Sequence, residues 1–172
     1  MKNKKLIRTD VVSNSMFPII RAGDIIFAAP CKNPRMGDIV IFKLNKKVIS
    51  GDRKVGYLVH RVIGTKMIKN KKCFVEKGDH CTPAWGFQDT PIGKVIKVQH
   101  NGHIVNLNER RWKLYNKRMT LLSLLEYKVY TLTDPLFRML PQNMNKRYRR
   151  FFSRSLNQIK VFSRKLIIKN CV

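Results

Sequence analysis

Acidic side chains are scarce in this chain: 10 Asp and Glu stand against 36 Lys and Arg in 172 residues, a formal net charge of +26. Such a field attracts anionic partners, whether nucleic acid, acidic peptide or an anionic membrane surface, and is silent about fold. Long apolar runs are also missing. No window approaches the roughly 18 uninterrupted apolar residues that span a bilayer. The charged opening Met1–Asp10 starts like a secretory signal, but no apolar stretch follows it. The expectation is therefore a cytoplasmic protein, with peripheral contact to a membrane as the one exception. Cysteine is sparse as well. Cys31, Cys73, Cys81 and Cys171 carry no CxxC spacing, and reduced thiols are expected. Cys73, His80 and Cys81, with Cys31 or His60, offer zinc-type ligands, yet their spacing matches no common zinc pattern. No metal and no cofactor are expected. Internal repeats and low-complexity segments are absent too.

What the chain does contain, from Asp10 to about Gln99, is a series of short apolar runs rich in β-branched and aromatic residues. They are Val11-Val12, Ile25–Ala28, Ile39–Phe42, Tyr57–Val59, Val62-Ile63, Cys73–Val75 and Val95–Val98. Gly23-Asp24, Gly37-Asp38, Gly51-Asp52 and Gly78-Asp79 bound them as turns, since Gly takes positive φ and Asp bonds the local backbone. The pattern predicts a mainly β domain over 1–108, a small barrel or folded sheet. From Glu109 the spacing becomes helical, through Leu114, Met119, Leu121, Leu122, Leu124 and Leu125, with Pro135 and Pro141 as interruptions. Residues 109–172 hold 16 of the 36 basic side chains and 3 of the 10 acidic ones. They read as a basic helical C-terminal extension. Within it, 145–168 forms an amphipathic pattern suited to an anionic membrane surface, or to packing on the β domain. Its Phe, Leu and Ile content favours the membrane over nucleic acid.

Three short stretches carry candidate chemistry. In Ser13-Asn14-Ser15-Met16-Phe17-Pro18 two hydroxyls bracket Asn14, and a serine becomes a nucleophile when an adjacent base takes its proton. His60, at the end of Tyr57-Leu58-Val59, is neutral enough near pH 7 to serve as that base. Asp79 and Asp89 are the candidate carboxylates for the imidazole, which one of them would hold in the right tautomer. The backbone N–H of Ser15 and the hydroxyl of Ser13 are candidate oxyanion donors. Each stretch has a bland alternative: a hydroxyl-stabilised turn, a structural histidine, a turn-capping aspartate. His80, His100 and His103 sit in turn-like sequence.

Together these residues resemble the type I signal peptidase and self-cleaving repressor superfamily of serine peptidases (S24/S26), in the branch that uses histidine as the base. The S-x-S-M-x-P box appears as Ser13 to Pro18, and G-D-I-V-x-F as Gly37 to Phe42. The H-R-V box appears as His60-Arg61-Val62, and K-G-D as Lys77-Gly78-Asp79. The resemblance implies an all-β peptidase fold with Ser15 as nucleophile, His60 as general base and Ser13 completing the oxyanion hole. It implies that Met16, Leu58 and Val59 line pockets for small substrate side chains, and that Asp79 or Asp89 orients His60. The implied substrate is a precursor, leader or signal peptide in a preprotein. Asn14 stands where relatives usually have Gly, and His80 where they usually have Asn. The alternative from a different class is an inactive basic binding protein that engages a membrane surface or nucleic acid through its C-terminal helices. Self-cleavage, as in the repressor cousins, finds no DNA-reading motif ahead of Ser15.

Overall fold

Antiparallel pairing organises the whole sheet. The computed structural model describes residues 5–50, 53–80 and 85–139, together with positions 151 and 158. Eight strands occur among them: β1 (Ile7–Asp10), β2 (Ile25–Pro30), β3 (Ile39–Ser50), β4 (Arg53–Ile68), β5 (Lys71–Lys77), β6 (Trp85–Gln88), β7 (Pro91–His100) and β8 (His103–Asn106). Their order across the sheet is β1-β2-β7-β3-β4-β5-β6, with β8 added to β7. Helix α1 (Arg110–Arg138) follows. The chain is thus mainly β with a C-terminal helix, as the run of short apolar segments indicated.

Several boundaries differ from the sequence reading. Val11-Val12 is not a strand; β1 precedes it, and Val11 N–H bonds Asp24 C=O at 2.9 Å just past the ladder. Tyr57–Val59 and Val62-Ile63 belong to one strand, β4, because His60 and Arg61 continue the ladder with Val40 and Ile39. Pro135 lies inside α1 rather than ending it. It stands one turn from the helix end, where its missing N–H removes a single internal bond. The turn Gly51-Asp52 and Cys81 lie outside the described residues, and so does 145–168 apart from positions 151 and 158.

Turn chemistry explains why the chain reverses where it does. Gly23 and Gly37 have φ of 90° and 95°, and the following Asp24 and Asp38 accept backbone N–H bonds from Arg21 and Arg35 at 2.7 and 2.9 Å. Lys69-Asn70 and Asn101-Gly102 take left-handed conformations between β4 and β5 and between β7 and β8. Such two-residue turns match strand twist.

The sheet buries both faces in its central region. On one, Ile26, Ala28, Ile39, Ile41, Val95 and Val98 form the main core, closed by Met16, Ile20 and Leu107. On the other, Val40, Phe42, Val62 and Phe74 form a second cluster, with Leu58 against it. Adjacent strand residues point to opposite faces, so β3 and β4 serve both clusters at once. Helix α1 covers the main-core side through Trp112, Tyr115 and Met119. Farther along, Tyr127 and Tyr130 meet Trp85 edge-on, with ring centroids 5.0 and 5.1 Å away. Among the described residues no helix is long and apolar enough to cross a membrane.

Candidate active site

His60 and Arg61 are neighbours on β4 with opposite tasks. The His60 side chain faces the second cluster, and its Nδ1 meets the carboxylate of Glu76 on the adjacent strand β5. Glu76 pairs with Val62 in register, two residues beyond His60 on the same face, so the contact is a diagonal cross-strand pair. Glu76 is buried, and its cross-strand neighbour on β6 is Gly86. A Cβ at Gly86 would stand 2.0 Å from Glu76 Oε1 and 3.0 Å from its Cδ. Only a residue without a side chain leaves room there for the carboxylate.

Arg61 turns to the helix side. Its Nε and Nη2 donate to the two carboxylate oxygens of Asp79 at 2.8 and 2.7 Å, with both side chains fully buried. Nη1 donates to Gly37 C=O at 3.1 Å and to Asn116 Oδ1 of α1 at 2.9 Å. Burial, the largest influence, lowers the Arg61 pKa, but the charge of Asp79 and its hydrogen bonds outweigh it, and the group ends above its ordinary value. Beside it on the same face, buried Lys77 makes an ion pair with Glu126 of α1 at 3.2 Å. The helix is fastened to the sheet directly behind the strand that carries His60.

The serine box sits in a tight turn. Phe17 N–H bonds Asn14 C=O at 3.0 Å, and Asn14 Oδ1 accepts from Ala22 N–H at 2.9 Å, tying the two ends of the segment. The Ser13 hydroxyl donates to Ser15 Oγ at 3.3 Å. Ser15 C=O accepts from His80 N–H at 2.8 Å. The Phe17 ring stands edge-on to that of His80, with centroids 5.6 Å apart, and Arg21 covers its face. These contacts dock the serine segment where β5 ends. The last rung there is Arg61 with Lys77, next to His60.

The sequence-predicted residues are thus distributed as follows. Ser13 and Ser15 are together, and the turn that holds them is bonded to His80, three residues past the Arg61–Lys77 rung. The carboxylate on the His60 ring is Glu76, where the sequence pointed to Asp79 or Asp89. Asp79 is committed to Arg61 through both oxygens. Asp89 is exposed in the turn after β6 and accepts from the Thr90 hydroxyl at 2.8 Å. The backbone of that turn joins β3 at Lys43, three residues from the His60 partner Val40, roughly 10 Å along a strand. Met16 is buried in the main core. Leu58 packs against the second cluster and Val59 against the first, on opposite faces.

Glu76 and Gly86 escaped the sequence reading. One signal was present: an acidic residue closing the apolar run Cys73-Phe74-Val75, spaced to share a face with Phe74. Gly86 carried none, because nothing in Trp85-Gly86-Phe87 marks a strand opposite a buried carboxylate. Cys73 is buried in β5 and Cys31 half-buried. Among the described residues no three His, Cys, Asp or Glu side chains gather as metal ligands.

A β fold that carries a two-serine turn, bonded to His80 just past β5, and a carboxylate-held imidazole on β4 contains the group types that serine hydrolase chemistry uses. A family model, Peptidase S24-like, matches residues 1–50, the stretch that holds Ser13, Ser15 and β1 to β3. That match supports a serine-peptidase-like fold at the coarse level. No curated protein and no solved structure matches the chain.

Proposed function

We propose that the protein is a serine endopeptidase of signal-peptidase type, acting on a precursor, leader or signal peptide. Ser15 is the nucleophile, His60 the general base and Glu76 the carboxylate that orients the imidazole. The observation that supports this reading is the Glu76 contact on His60 Nδ1, together with the S24-like match over the segment that holds Ser15. With Nδ1–H held by Glu76, the opposite ring nitrogen, Nε2, is the proton acceptor. As Ser15 Oγ bonds to the substrate carbonyl carbon, its proton passes to Nε2, and the carbonyl oxygen becomes an oxyanion. The Ser15 N–H and Ser13 hydroxyl are its proposed donors, each worth a few kcal/mol at the transition state. Collapse breaks the C–N bond, and the leaving amine takes the proton from Nε2. Water, deprotonated by the same nitrogen, then hydrolyses the acyl-enzyme and frees Ser15.

The test is covalent labelling with a fluorophosphonate probe, with the modified residue located by mass spectrometry. Labelling at Ser15, lost in both Ser15→Ala and His60→Ala while circular dichroism shows both variants folded, is the expected result. Labelling at another serine, or equal labelling in His60→Ala, would overturn the assignment. An unlabelled wild-type chain would favour the inactive, basic binding protein instead.

A further inference from the structure

Helix α1 is apolar on two opposite sides, and among the described residues only the inner one packs against the sheet. The inner side packs on the sheet through Trp112, Tyr115, Met119 and Ser123. On the outer side Leu114, Leu121, Leu125 and Leu132 are 45%, 65%, 59% and 74% exposed. Helical residues advance by about 100°, so these four leucines fall within roughly 20° of a single line. One exposed leucine is ordinary; four on one line are a surface feature. Exposed Met36 extends it sideways, since it borders the same cleft as Leu121, and exposed Met139 follows the helix end.

Charge on this side has one sign. By the same helical geometry Arg110, Lys117, Arg118 and Lys128 flank the leucine line within about 60°. The acidic residues of α1 are elsewhere: Glu126 is buried against Lys77, and Asp134 lines the hollow beside Trp85 and Tyr130.

We infer that the outer face of α1 is a docking surface for an anionic lipid bilayer, on which the helix lies in the plane of the interface. The two features of the face select that partner. A second copy of the chain would cover the leucines but bring Arg118 and Lys128 against their own kind, with no carboxylate to answer them. Duplex nucleic acid would answer the cations and leave the leucines in water. An anionic bilayer does both: leucines enter the boundary between headgroups and acyl chains, and the flanking cations meet lipid phosphates. This surface belongs to α1, and it does not depend on the peptidase assignment.

The test is co-sedimentation of the full chain with vesicles of phosphatidylcholine containing phosphatidylglycerol, and with pure phosphatidylcholine, at about 0.1 M and 0.5 M salt. Wild-type protein should bind the anionic vesicles more tightly than the neutral ones. Leu121→Asn with Leu125→Asn should lower the partition coefficient at least tenfold at both salt concentrations. Lys117→Gln with Arg118→Gln should lower it only at low salt. Both pairs are on the surface, so circular dichroism and the unfolding temperature should hold steady. Undiminished binding of the leucine variant would overturn the inference and assign the interaction to another part of the chain. Failure of wild-type protein to bind, or a wild-type dimer that the leucine variant dissociates, would overturn it as well.

Discussion

Glu76 grips His60 from the neighbouring strand, two rungs along a shared face, at a position that no aspartate in the chain occupies. If this carboxylate orients the imidazole, Glu76→Gln should slow acylation of Ser15 by about 10³- to 10⁴-fold with the fold intact. Asp89→Asn should stay near the wild-type rate. Stopped-flow measurement with an ester substrate separates them; the opposite ranking would return the role to Asp89.

Gly86 sets the space for that carboxylate. Adding one methyl places it 2.0 Å from Glu76 Oε1, so Gly86→Ala should push the carboxylate off the ring and cost roughly 10- to 100-fold in acylation rate. Glu76→Asp withdraws the carboxylate by one methylene and should soften the Gly86→Ala defect when the two are combined. Strict additivity in this double-mutant cycle would show that the two positions are uncoupled.

Arg61 and Asp79 should behave as a structural unit. Arg61→Met strands a buried carboxylate and should cost about 3 kcal/mol, or about 6–12 °C in Tm. Replacing both partners, Arg61→Met with Asp79→Leu, should recover much of that loss. Calorimetry decides; a double variant no more stable than Arg61→Met would contradict it.

The sign of the pH effect at Arg61 follows from its raised pKa. Stability from a cation whose folded pKa stands above its unfolded one is complete below the unfolded value and fades as pH rises through the folded value. Both lie far into alkali for arginine. Between about pH 6 and 9, wild type and the double variant Arg61→Met with Asp79→Leu should therefore differ in stability by a constant amount. A gap that narrows across that interval would point to a different titrating partner.

The sequence was most legible where side chains alternate over several residues. Ile39–Phe42 announced β3, buried on both faces, and Val95–Val98 announced β7, whose Val95 and Val98 enter the main core while Lys97 stays exposed. Strand β4 was read as two pieces, since His60-Arg61 looks polar in the chain although Arg61 is fully buried. Its charge is tolerated there only through Asp79, a partner 18 positions away that local pattern cannot reveal. The same long-range pairing misdirected the site reading. Gly78-Asp79 resembled the capping turns at Gly23-Asp24 and Gly37-Asp38, or else a partner for the imidazole. Which carboxylate meets His60 is decided by register between β4 and β5, and that register depends on a bulge near Val62.

Consecutive residues on β4 face opposite ways, and this has a cost in warmth. Heat that lifts α1 from its seat strips Arg61 of Asn116 and Lys77 of Glu126, and the strand that steadies the imidazole loses its backing. A peptidase built this way would fall silent while most of its sheet was still intact.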